Sequence, residues 1–208
     1  MSEVALHILS DLSVDQRDQL LRRAEDDLAP FIEKIHPIIE AVRTEGDAAL
    51  VRFAKQFDGA DFGAETIAAS DAEFDEAYAA LDPEFVDVLR YSADNIRRFH
   101  ERQMPEKQWM MEIRDGAHVG ERFTPIDSVA CYSPRGKGSF PSVTLMSIIP
   151  AVVAGVPEVI VLTPAGPDGK IDPATLVAAD ISDSDVFFRR NPIPFAAHLR
   201  STNEATET

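Results

Sequence analysis

The sequence predicts an α/β protein in which a mainly helical N-terminal region, residues 1–104, precedes an incomplete βαβ unit. Three observations carry this. Apolar residues recur at helical spacing through most of the first hundred or so positions. Residues 126–132 (IDSVACY) and 159–163 (VIVLT) are short apolar runs, as parallel strands covered on both faces require. Between them lies a helix-forming run that opens at Pro141 or Ser142 and stops at Gly155-Val156-Pro157.

In chain order, a first helix is expected over 15–28, with Leu20, Leu21 and Leu28 on one side and charges elsewhere. A second covers 31–44, where Pro37 should kink or split it. Asp47 is expected to cap a helix reaching Phe57, with Leu50, Phe53, Ala54 and Phe57 at helical spacing. Ser70 or Asp71 caps a short helix with Phe74, Ala77 and Tyr78 as its apolar face. Asp82-Pro83 opens the longest helix, which ends near Gln103 before Met104-Pro105. Its stripe should be Phe85, Val88, Leu89, Ser92, Ile96 and Phe99, and Phe53, Phe57 and Phe99 should be core. Residues 108–124 read as a hairpin about Asp115-Gly116. Residues 105–180 then form a partial nucleotide-binding region. Residues 181–208 contain Asn191-Pro192-Ile193-Pro194 and end in STNEATET, so a divergent, extended and finally disordered tail is expected.

Charge narrows the partners. The chain of 208 residues carries 36 acidic and 20 basic side chains, net -16, and only 5 of the cations are lysine. Acids spread along the whole chain disfavour nucleic acid, whose phosphates they repel. An aspartate-rich, lysine-poor surface suits a high-salt cytoplasm, where ions screen self-repulsion; an acidic protein of ordinary salt is the alternative. No apolar run is long enough for a membrane span, and MSEVALHILSDLS is too acidic for a signal peptide, so a cytoplasmic protein is expected. Cys131 is the single cysteine and sits in an apolar strand, which excludes a disulfide framework and reads as a buried structural thiol. His36, His100 and His118 share no metal-ligand spacing, and His7 and His198 lie near the termini. No Ser-His-Asp or paired-carboxylate arrangement is present, so no catalytic or metal-binding residue is assigned.

The candidate site is the turn after the first strand, 133–139 (SPRGKGS), where a Rossmann-like βαβ unit holds phosphate. Gly136 and Gly138 let a ligand approach the backbone, Pro134 stiffens the entry, and Arg135 and Lys137 bring positive charge. The helix start near Ser142 offers unpaired N–H groups to an anion. The turn does not match GxGxxG, and no acid directly after Thr163 can take a ribose hydroxyl. On its residues alone, the loop either touches a nucleotide or phosphate or is a charged surface turn. The candidate cofactor-binding set is Tyr132, Pro134, Gly136, Lys137 and Ser142.

The run Tyr132-Ser133-Pro134-Arg135-Gly136-Lys137-Gly138-Ser139-Phe140-Pro141-Ser142 is followed by Leu145-Met146, Ile149-Pro150-Ala151, Ala154-Gly155-Val156 and Thr163-Pro164. This order resembles the histidinol dehydrogenase family, which shows Tyr-Val-Pro-Gly-Gly, then Pro-Ser, Leu-Met, a Pro-Ala pair and Ala-Gly-Val. Gly46-Asp47-Ala48-Ala49-Leu50, Phe53, Phe57-Asp58, Asn95-Ile96 and Phe99-His100 extend the resemblance, which runs to Asp180. It implies an NAD-dependent, zinc-containing oxidoreductase that takes L-histidinol through the aldehyde to L-histidine in histidine biosynthesis. It also implies that Tyr132 contacts NAD. Arg135 stands where the family has the first glycine of its pair, which implies a changed nucleotide geometry or substrate and a paralogue branch.

In the family, the zinc ligands, the Glu-His acid–base pair and a Gly-Gly-Ala-Gln-Ala segment lie downstream of this unit. The resemblance therefore implies a truncated chain, inactive alone, arising as a split gene, a frameshift product or a true short homologue. Family members are dimers whose later domains cross between subunits, so the small-molecule substrate of the full-length family is joined by self-association or a complementary C-terminal half as expected partners. The alternatives are a non-catalytic nucleotide-binding or interaction protein and a non-functional remnant.

Overall fold

A computed structural model of the chain describes residues 6–21, 29–135, 138–184 and 186–189. The chain divides into two compact units, Met1–Ile38 and Ile39–Thr208. The first contains α1 (Val14–Leu21) and the beginning of α2 (Ala29–Glu45). Ser13 and Gln16 cap α1 reciprocally: Gln16 N–H donates to Ser13 Oγ at 3.3 Å and Ser13 N–H to Gln16 Oε1 at 2.9 Å. Residues 22–28, the second half of the first expected helix, lie outside the described residues. Of the two expected outcomes at Pro37, a kink or a split, the split does not occur: α2 runs through it unbroken. Pro37 is exposed, as is Glu33 four residues before it, so water can meet the carbonyl that the missing N–H leaves unpaired.

The second unit continues with α3 (Asp47–Phe53), which runs on as a π-helical turn over Ala54–Asp58. Gly46, not Asp47, is the N-cap residue, and Asp47 opens the helix. The next two starts follow the sequence. At α4 (Asp71–Ala80), Ser70 N–H donates to Glu73 Oε2 at 3.0 Å; at α5 (Pro83–Gln103), Asp82 Oδ1 accepts from Glu84 N–H at 2.9 Å. The hairpin consists of β1 (Gln108–Arg114) and β2 (Ala117–Arg122), antiparallel, with Met111 opposite Val119. Gly116 takes φ +73° at its tip, which the turn demands.

The sheet is parallel and has three strands: β3 (Ser128–Tyr132), β4 (Glu158–Thr163) and β5 (Val186–Arg189), with β4 in the centre. β5 lies in the stretch expected to be a divergent tail; residues 190–208 lie outside the described residues. Helix α6 (Pro141–Val153) connects β3 to β4, and α7 (Pro173–Ile181) connects β4 to β5. The main core joins Leu89 and Ala93 of α5, Leu145, Ile148 and Ile149 of α6, Val159 and Val161 of β4, and Leu176 to Ala179 of α7. Ile160 and Leu162, on the other face of β4, form a second cluster with Ala130. β4 is therefore buried on both faces, as its unbroken apolar run implies.

Two apolar expectations hold only in part. Of the stripe expected on α5, Leu89 is buried and Ile96 packs against the core, but Phe85, Val88 and Phe99 are exposed, Phe99 at 62%, and Val86 and Ala93 are buried instead. The buried face is the expected stripe turned toward Val86 and Ala93, and it packs against α6, where small Ala93 lets two helices approach. Phe57 is also exposed and stacks on buried Phe53 with ring centroids 5.6 Å apart. On the hairpin, Trp109, Met111 and Val119 share one face and are all exposed, as is Ile113 at the bulge.

Tyr78 of α4 donates its hydroxyl proton to Asp180 Oδ2 of α7 at 2.6 Å. Burial, then the neighbouring carboxylate, push the phenol up to about 12. Folding therefore favours the neutral phenol. Its contribution should be intact below the ordinary tyrosine value of about 10 and drain away between there and about 12. Denaturant melts of wild type and Tyr78→Phe should differ by about 1 kcal/mol at neutral pH and converge across that window. A gap that stays constant to the top of the window would refute the linkage.

Candidate functional site

Three parts of the chain meet at the C-terminal ends of the parallel strands: the loop residues 133–135 and 138–140, the loop from Pro164 to Asp172, and the stretch from the π-helical turn to Phe62. Ala165 packs with Ala54, Ala60 and Phe62, and Gly169 lies against the Asp61 carbonyl. Ligands of open parallel sheets bind at this end.

Tyr132 is the last residue of β3, opposite Leu162, and is 38% exposed. Partial burial, then the Asp58 charge, raise its phenol above the ordinary value, so it is a neutral donor at physiological pH. Beneath it, Ser133 and Thr144 share a hydrogen bond of 2.7 Å between their hydroxyls, each 1% exposed. With Ser133 N–H donating to Leu162 O at 2.8 Å, this pair ties the first turns of α6 to the sheet. Pro134 is exposed beside it. Ser142 lies exposed at the start of α6, whose N-cap residue, Phe140, supplies no side-chain acceptor. The first-turn N–H groups thus lack a side-chain cap.

The structure brings Tyr132, Pro134 and Ser142 to one end of the sheet; Gly136 and Lys137 lie outside the described residues. The cations that are described there are engaged. Arg135 Nη1 donates to Lys170 O at 2.8 Å, and Lys170 Nζ pairs with Glu76 at 3.3 Å. Ser139 Oγ donates to Asp172 Oδ2 at 2.7 Å, the same oxygen that caps α7 through Thr175 N–H at 2.9 Å. Sequence reading missed Asp58, Ser139, Thr144 and Asp172. Only Asp172-Pro173 carried a usable signal, since it repeats the Asp82-Pro83 cap.

Cys131 is buried, its thiol 3.4 Å from Ser147 O, and burial raises its pKa, so it packs rather than reacts. His36 and His118 are exposed and His100 sits edge-on to Phe99. Among the described residues, no group of three or more His, Cys, Asp or Glu is placed to hold a metal ion, and no helix is long and apolar enough to cross a membrane. A cavity of about 400 Å³ lies at the opposite end of the sheet. It is lined by Met104, Phe123, Pro125 and Val153 with Lys107 as its one charge, and so lacks converging polar groups. The strand-end loops remain the better candidate.

Comparison with known proteins agrees with this architecture. The family model described as histidinol dehydrogenase matches residues 21–190. A protein of Colwellia psychrerythraea named histidinol dehydrogenase homolog is 54% identical over 90% of this chain, and histidinol dehydrogenase of Methanosarcina barkeri is 40% identical over 87%. The chain spans 42% and 41% of their respective lengths. The crystal structure of histidinol dehydrogenase from Elizabethkingia anophelis superimposes with a TM-score of 0.76 at 26% identity, covering 89% of this chain and 42% of that one.

Proposed function

The chain belongs to the histidinol dehydrogenase family, and from that premise we propose that it forms the nucleotide-side part of an NAD-dependent oxidoreductase acting on L-histidinol or a related alcohol. The observation that carries this is half-exposed Tyr132 beside the uncapped start of α6, at the C-terminal end of a parallel sheet. NAD, when bound, would supply the hydride acceptor. Tyr132 stacks on the nucleotide or donates to it, Pro134 shapes the entry, and the N–H groups near Ser142 face a phosphate. Gly136 and Lys137 complete the set in this reading. The Ser133–Thr144 pair holds these groups in one geometry.

The described residues do not fit zinc: none of them form a group of three or more His, Cys, Asp or Glu that could hold it. Hydride transfer also needs a base of tuned pKa at the substrate, and the described strand-end loops offer no histidine for that role. Dehydrogenation in this reading needs residues from a complementary part of a family-length protein or a second copy. The exposed apolar face of the hairpin supports such a partner, since a lone two-stranded hairpin is marginal in water. Arg135, and the higher identity to a relative named as a homolog than to one named histidinol dehydrogenase, support a paralogue branch. Absence of a membrane-crossing helix among the described residues and the single buried cysteine are compatible with work in the cytoplasm.

The test is ligand-observed NMR titration of NAD into wild type, Tyr132→Ala and Lys137→Ala. Binding should be no tighter than roughly millimolar, about 4 kcal/mol, and weaker in both variants. Binding unchanged by both would place the ligand elsewhere. NADH formed from histidinol by the purified chain with added zinc would overturn the need for a partner.

A further inference from the structure

We propose that Arg135 and Gly166 form a clasp that fixes the turn at 166–170 against the loop that follows β3. The turn is closed by Gly166 N–H donating to Lys170 O and Gly169 N–H to Gly166 O, each at 2.8 Å. Arg135 reaches across from the β3 side and donates Nη1 to that same Lys170 carbonyl, whose two lone pairs are then both used. Its guanidinium lies on the buried backbone of Gly166. A Cβ there would come within 2.5 Å of Nη1 and 2.7 Å of Asp168 Oδ1, so a larger residue at 166 would push the tips of Arg135 and Asp168 off the position they hold over it. On the far side, Gly169 has φ +74° and a Cβ there would meet the Asp61 carbonyl at 2.9 Å. The turn is thus held between Arg135 and Asp61. Neither glycine belongs to a phosphate fingerprint; Gly169 is required by its positive φ and its backbone contact, and Gly166 leaves room for the arginine tip.

The clasp assigns Arg135 a positioning role: its contact is a neutral carbonyl on the neighbouring loop. Ser139 and Asp172 make a second link between the same two loops. The inference deepens the nucleotide reading, because the clasp would fix the loop that follows Tyr132, but it is judged by backbone exchange rather than by ligand.

Amide hydrogen exchange by NMR on wild type, Arg135→Ala, Arg135→Lys, Gly166→Ala and the Arg135→Ala/Gly166→Ala double variant tests it. Exchange at Gly166 and Gly169 should rise about tenfold or more in Arg135→Ala, the factor expected for a lost charge-assisted hydrogen bond. Arg135→Lys should restore part of the protection. Gly166→Ala should raise exchange similarly, and the double variant should be no worse than either single one, since both break one contact. Exchange unaffected by Arg135→Ala, or effects that add in the double variant, would overturn the clasp. NAD titration of the same proteins reports separately. A wild type that binds no NAD while the exchange pattern holds would remove the nucleotide reading and leave the clasp standing.

Discussion

Ile148→Ala should lower the unfolding free energy of the sheet-bearing unit by about 2–5 kcal/mol. Ile148 has no exposed surface and sits mid-way along α6, in the cluster that joins α5, α7 and β4. Truncation removes buried methyl and methylene groups and leaves a cavity bounded by three elements that cannot all close on it. Domains have about 5–15 kcal/mol in total, so this is a large share. Met146 on the same helix is the control: it is exposed, and Met146→Ala should cost less than about 0.5 kcal/mol. Denaturant melts followed by circular dichroism would give both values. Equal costs for the two substitutions would mean that α6 does not present Ile148 to the core.

Thr144→Val should cost about 1–3 kcal/mol although it conserves shape. The substitution leaves Ser133 Oγ buried, with its hydroxyl partner replaced by a methyl group. Ser133→Ala should be similarly costly, for the reciprocal reason. The double variant, with neither hydroxyl left, should regain most of the loss, because an apolar pair of matching shape has nothing to leave unsatisfied. Strict additivity in the four-protein cycle would show that water or another group already satisfies the site. The pair anchors the start of α6 behind Tyr132, so Thr144→Val is also expected to weaken NAD in the proposed site.

How much of this protein was legible depends on how far each signal acts along the chain. Ser70 with Glu73, Asp82 before Pro83, and Asp115-Gly116 each act within four residues, and each produces the cap or turn it announces. The order strand, loop, helix, strand over 126–163 was readable for the same reason, as was the family. α7 escaped because it is buried at every position from Ala174 to Ala179, so it lacks the one-sided stripe that marks an amphipathic helix. β5 escaped because pairing with β4, not its own four residues, makes it a strand.

The sequence by itself determined the α/β class, the helix starts at Ser70 and Asp82, the hairpin tip, and the placing of Tyr132, Pro134 and Ser142 at a strand end. Only the tertiary structure decided which face of α5 is buried, since the choice rests on how closely Ala93 lets α6 approach. It also placed Arg135. Read along the chain, Arg135 is a charge in a phosphate loop; in space, one of its five N–H donors meets a carbonyl 35 residues away, over a glycine whose missing side chain makes the room.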